Sequence, residues 1–142
     1  MEAKFSKRVK EVISLSREEA LRYGHDHIGT EHLLLSMIWE GKGSAISLLK
    51  NLGVSVNELK HALEDATRSA YTQRQNTNGS IPLTTQAEQV IKTTYLEAKF
   101  DDSKVIGTVH LLLAILRDRD DPTSKILSKY NVTYDAVRDF AS

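Results

Sequence analysis

Apolar residues recur every three or four positions from the start of the chain, a period that predicts helices almost throughout. Phe5, Val9, Val12, Ile13, Ser16 and Ala20 form one stripe of a helix over about 6–23, with Ser6 at its N-cap and Gly24 as its stop. Leu33, Leu34, Met37 and Ile38 form the buried face of a second helix, capped by Thr30 and broken by Gly41-Lys42-Gly43. A third is capped by Ser44 and ends near Leu52, with Gly53 beyond it. A fourth begins at Val56. There Ser55-Val56-Asn57-Glu58 has the form of a capping box, and Val56, Leu59, Leu63 and Ala66 share a face. The pattern then stops. Thr72-Gln73-Arg74-Gln75-Asn76-Thr77-Asn78-Gly79-Ser80 has almost nothing to bury and reads as a flexible connection.

The second half of the chain writes the first again. Ile28-Gly29-Thr30-Glu31-His32-Leu33-Leu34-Leu35 returns as Ile106-Gly107-Thr108-Val109-His110-Leu111-Leu112-Leu113, with seven of eleven positions identical from Ile28 to Ile38. The offset that carries Gly29 to Gly107 holds along the whole pattern: Phe5 answers to Leu83, Val12 to Val90, Ala20 to Ala98, Leu49 to Leu127 and Val54 to Val132. Thr85-Gln86-Ala87-Glu88 reads as another capping box, Pro122 after Asp121 opens a helix, and Asn131 replaces the Gly53 stop. The expected fold is all-α. Two tandem four-helix repeats, about 1–70 and about 83–142 with a linker at about 71–82, are expected to pack about a pseudo-two-fold axis, since each is small enough to be marginal alone.

Composition narrows the function. Nineteen basic and nineteen acidic residues cancel, which gives no footprint of a nucleic-acid binder. There is no cysteine, hence no disulfide and no thiolate metal site. No apolar run approaches the ~20 residues that span a bilayer, and Met1-Glu2-Ala3-Lys4-Phe5 has no secretory h-region. A cytoplasmic protein is expected, with no membrane or nucleic-acid partner.

Catalytic patterns are scarce among the polar residues. His25, His27 and His32 could offer metal ligands, which makes a small metal-dependent hydrolase the rival reading, but H-E-x-x-H is absent. His32 and His110 stand at equivalent positions just inside a helix start, as packing histidines that bond a nearby backbone group would. Gly41-Lys42-Gly43-Ser44 lacks the spacing of a phosphate-binding loop, and no G-x-S-x-G elbow occurs. A binding module is therefore expected, with no catalytic residue, metal or cofactor of its own.

Gly29-Thr30-Glu31-His32-Leu33-Leu34-Leu35 and the Glu40-Gly41-Lys42-Gly43 turn resemble the N-terminal domain of Clp-type AAA+ unfoldases, above all the ClpC type. Phe5, Arg8, Glu18-Glu19-Ala20, Gly24-His25 and the second signature support the likeness, which covers essentially the whole chain. The resemblance implies a non-catalytic domain that receives protein substrates and adaptor proteins for an ATP-driven unfoldase, with proteolysis in a partner peptidase ring. ATP is implied only for ATPase modules absent from this sequence. A free-standing Clp-repeat regulatory protein is the alternative within the same class.

The resemblance also implies recognition of phosphorylated arginine. In that scheme the Glu of each G-T-E-H segment faces the guanidinium and a helix start nearby holds the phosphate, chemistry that suits a carboxylate and free N–H groups. Glu31 and Thr30 match a first site, with Ser6 as a further contributor. The second site departs from the pattern, because Val109 cannot pair with a cation although Thr108 and Thr84 remain. Glu31 has a plainer reading, stabilisation of the helix dipole. Trp39, which answers to Arg117, either covers the 41–43 turn or stands exposed as a partner anchor.

Overall fold

The computed structural model describes residues 3–70 and 80–141, the side chains of residues 69 and 70 excepted. Among these the chain forms eight helices and two short strands: β1 (Lys4–Phe5), α1 (Lys7–Arg22), α2 (Thr30–Glu40), α3 (Ser44–Asn51), α4 (Val56–Ala70), α5 (Thr85–Phe100), β2 (Val105–Ile106), α6 (Thr108–Arg117), α7 (Pro122–Lys129) and α8 (Tyr134–Ala141). The starts of α1 to α4 are repeated in α5 to α8 at the offset that relates the two signature segments. Most of the linker expected at about 71–82 lies outside the described residues.

The two halves share one core. Leu33, Leu34, Leu35 and Met37 of α2 and Leu111, Leu112, Leu113 and Ile115 of α6 are all buried. These helices are apolar nearly all round because neighbours cover them on every side. Val9, Val12 and Ala20 of α1 and Ala87, Val90 and Ala98 of α5 pack outside them, while Leu59, Leu63, Leu127 and Val137 close the far side. Full burial of one such side chain stabilises by about 1.5–3 kcal/mol.

Several starts fall one residue from their expected caps. Ser6 does cap α1, accepting the Val9 N–H at 3.1 Å. The N-cap of α2, however, is Gly29, with Thr30 already inside the helix. The Gly29 N–H donates to Nδ1 of His32 at 2.8 Å, and Gly107 does the same to His110 at 3.0 Å. The imidazole thus makes the reach-back bond that Glu or Gln makes in a capping box. Gly43, not Ser44, is the N-cap of α3. Thr84, not Thr85, caps α5, its hydroxyl accepting the Ala87 N–H at 3.0 Å. The stops fall where expected: Gly24, Gly53 and Asn131 all adopt the left-handed conformation.

The helical period cannot reveal how the halves are joined. β1 pairs in parallel with β2, Phe5 opposite Ile106, and Ile28 bridges Leu83 in the equivalent place. Each repeat therefore sends its leading segment to the other. Side chains repeat the exchange. The Thr30 hydroxyl donates to Oδ2 of Asp121 at 2.8 Å and meets Thr123 Oγ1 at 2.8 Å, all three buried. In the mirrored contact Thr108 Oγ1 accepts the Ala45 N–H at 3.0 Å, so the second repeat caps α3 of the first. Gly43 leaves room for this, since a Cβ there would stand 2.7 Å from Thr108 Oγ1.

Candidate docking surface and ligand site

The α1–α2 hairpin is antiparallel. Ser36 Oγ donates to the Val12 carbonyl at 2.8 Å, and Arg8 pairs with Glu40 at 3.2 Å while also bonding the Lys42 carbonyl. Ser6 therefore lies at the end of the hairpin where α2 finishes, and Glu31 at the end where α2 begins. Eleven residues of helix put about 16 Å between those ends. The grouping of Ser6 with Glu31 is thus corrected by the geometry. The exchange between repeats redistributes the helix starts: Ser6 N–H donates to the Ile106 carbonyl at 3.0 Å, beside Val109, and Thr84 N–H donates to the Ile28 carbonyl at 2.8 Å, beside Glu31.

Thr30 turns its hydroxyl inward to Asp121 and Thr123, so only its backbone faces the start of α2. The Glu31 side chain is largely covered, and its carboxylate lies 3.3 Å from Nδ1 of His32. That contact is not an ion pair. Burial, helped by the neighbouring His25, pushes the His32 pKa down to about 3, and Nδ1 already accepts the Gly29 N–H. The proton of neutral His32 sits on Nε2 and is donated to His25 Nδ1, 2.9 Å away. Burial lowers the His25 pKa as well, against a smaller opposing effect of Asp26. In the second repeat, His110 Nε2 instead faces the Asp101 carboxylate at 2.9 Å.

The three histidines of the hydrolase reading do not converge, since His27 bonds Asp26 at 2.9 Å while His25 and His32 bond each other. No group of three or more His, Cys, Asp or Glu side chains arranged to hold a metal occurs among the described residues. Nor is any helix there long and apolar enough to cross a membrane.

Trp39 does not cover the 41–43 turn. Its side chain is 61% exposed, with the Arg22 guanidinium 5.4 Å from the ring centroid. Arg22 also pairs with the buried Glu19 at 2.9 Å, which holds the cation beneath the indole. In the second repeat Arg117 pairs with the buried Glu97 at 2.7 Å and lies 5.5 Å from the ring of Phe100, itself 65% exposed. Arg138 adds a further bond from α8 to Glu97 at 2.5 Å. Each half thus presents an aromatic ring braced on a carboxylate-anchored guanidinium. The helical period marks what is buried and so passes over Phe100; comparison of solvent positions between the repeats is the signal that finds it.

A family model, Clp_N, the Clp repeat (R) N-terminal domain, matches residues 4–139, and the chain belongs to this family. It is 33% identical over 138 residues to the chaperone protein ClpB of Oceanobacillus iheyensis, covering 97% of this chain and 17% of that protein. It is also 33% identical over 138 residues to the negative regulator of genetic competence ClpC/MecB of Bacillus subtilis, covering 97% of this chain and 16% of that protein. The chain thus spans about a sixth of these relatives. The Hsp104 N-terminal domain of Candida albicans has the same fold, with a TM-score of 0.80 at 17% identity over 97% of this chain and 89% of that one. A ClpV N-domain in complex with a VipB peptide superposes with a TM-score of 0.71 at 14% identity over 96% and 87%.

Proposed function

We propose that this chain is a non-catalytic docking domain that receives protein substrates and adaptor proteins for a Clp-type ATP-dependent unfoldase, which in turn feeds a peptidase ring. The observation that carries the reading is membership of the Clp N-terminal family over residues 4–139. The complex of a ClpV N-domain with a VipB peptide supports it, as a domain of this fold engaged with a peptide. Trp39 supports it too: an indole held out on Arg22 is a rigid, amphipathic anchor of the kind enriched in binding hot spots. Retention of a chemically unfolded model protein by the immobilised chain, reduced in Trp39→Ala, is the expected result. No retention by the intact chain would overturn the reading.

Within that role the first repeat is proposed to recognise phosphoarginine. Glu31 would face the guanidinium, while the phosphate would meet backbone N–H groups in the first turn of α2, at Thr30, and of α5, at Thr85 and Gln86, since the Thr84 N–H is held by the Ile28 carbonyl. Val109 leaves the opposite site, beside Ser6, without its carboxylate. Calorimetric titration with free phosphoarginine should give one site, lost in Glu31→Ala. Absence of binding to the intact chain, or two equal sites, would contradict the assignment.

A further inference from the structure

Along α5, on the side facing β1 and the loop before β2, runs a groove of about 740 Å³. Lys92, Lys99 and Lys104 rim it, and Tyr95 and Leu96 line it. Leu96 is 43% and Tyr95 38% exposed, two apolar side chains adjoining in one lining. Asp102 is the carboxylate of the lining. Among the described residues, no acidic group comes within ion-pair distance of the three lysine side chains.

The duplication supplies an internal control. Equivalent positions of the first repeat occupy the same place in the fold: Lys92 answers to Ser14, Lys99 to Leu21, Lys104 to Asp26, Tyr95 to Arg17 and Leu96 to Glu18. The first repeat builds the same helix with none of these cations and neither apolar side chain. The helix itself therefore does not call for the three lysines or for Leu96, while Tyr95 also packs its ring on Phe5, 5.2 Å between centroids. Three positive charges and an exposed apolar strip, all confined to one repeat, match a ligand that carries acidic groups beside an apolar one.

We infer that this groove docks an acidic peptide segment with an apolar side chain, its carboxylates meeting Lys92, Lys99 and Lys104 and its apolar group covering Leu96 and Tyr95. The inference rests on the docking role proposed above. Peptide is favoured over nucleic acid because the chain carries no net charge, the Asp102 carboxylate stands in the lining, and Tyr95 and Leu96 offer an apolar contact between Lys92 and Lys99.

The probe is a short fluorescein-labelled peptide of glutamates around a central leucine, followed by anisotropy against the intact chain. Saturable binding is expected that weakens as salt is raised. It should be roughly tenfold weaker in the triple variant Lys92→Gln, Lys99→Gln, Lys104→Gln, as loss of three exposed charge pairs implies. Leu96→Glu, which installs the first repeat's residue, should weaken it too, with the helical circular dichroism of both variants unchanged. Undetectable binding, equal binding by the triple variant, or equal binding of an oligothymidylate would overturn the inference. If unfolded protein is still retained by the intact chain while this peptide is not, the groove assignment alone falls; if neither binds, the docking role falls with it.

Discussion

Arg22 lies 5.4 Å from the ring centroid of Trp39, and in the second repeat the pair recurs with its members exchanged, Phe100 standing at the place of Arg22 and Arg117 at that of Trp39. The anchoring carboxylate does not move: Glu19 and Glu97 are equivalent, and each holds the guanidinium of its own half. The two helix pairs thus keep the contact while the residues that make it change places.

A double-mutant cycle on Arg22→Ala and Trp39→Ala should therefore show a favourable coupling of about 0.5–1 kcal/mol, as expected for a cation–π pair at an exposed site. The exchanged variant Arg22→Phe with Trp39→Arg should recover most of it. Urea unfolding reads both. Additive single effects would contradict the pairing.

The emission of Trp39 gives a simpler check. A side chain 61% exposed should emit like tryptophan in water and be readily quenched by acrylamide. A blue-shifted, quencher-resistant spectrum would return Trp39 to the role of covering the 41–43 turn.

The joint between the repeats can be broken from either side. Thr30→Val removes the donor to the buried Asp121 carboxylate and should cost about 1–3 kcal/mol. Gly43→Ala drives a Cβ to 2.7 Å from Thr108 Oγ1 and 3.0 Å from its methyl, for a loss of about 1–3 kcal/mol. Denaturant midpoints measure both. An unchanged midpoint for Gly43→Ala would mean that α3 and α6 part more easily than their packing implies.

The buried His25–His32 pair sets a pH dependence. His32 is held neutral, its pKa lowered from an ordinary 6.5 to about 3 by burial. The unfolded chain binds a proton there before the folded one, so stability falls as pH drops from about 6.5 towards 3 and is independent of this group above that window. Melting temperature should decline through the window, and the decline should flatten in His32→Gln. A slope unchanged by His32→Gln would remove His32 as its source.

Much of this architecture is legible in the sequence. The apolar stripe through Val9, Val12 and Ala20, the Gly24, Gly53 and Asn131 stops, and the constant offset between the halves yield eight helices in two repeats. Caps are less legible, because Gly29 and Gly43 start helices with no side chain of their own and rely on His32 and on Thr108 of the other half. Least legible is which helix start faces which. Two copies of one pattern look alike whether they fold separately or exchange their leading segments, and that exchange puts Thr84, rather than Ser6, beside Glu31. The grooved face of α5 escaped the helical period for a related reason: periodicity reports burial, whereas Lys92, Leu96 and Lys99 are informative through their exposure.

The docking role is tested most directly by fusing this chain to a Clp ATPase ring stripped of its own N-terminal domains and measuring turnover of a protein substrate by the ring and its peptidase. The fusion is predicted to restore turnover, with Trp39→Ala lowering it while leaving ATP hydrolysis intact. A fusion that assembles and hydrolyses ATP, yet processes substrate no faster than the stripped ring, would contradict the docking role.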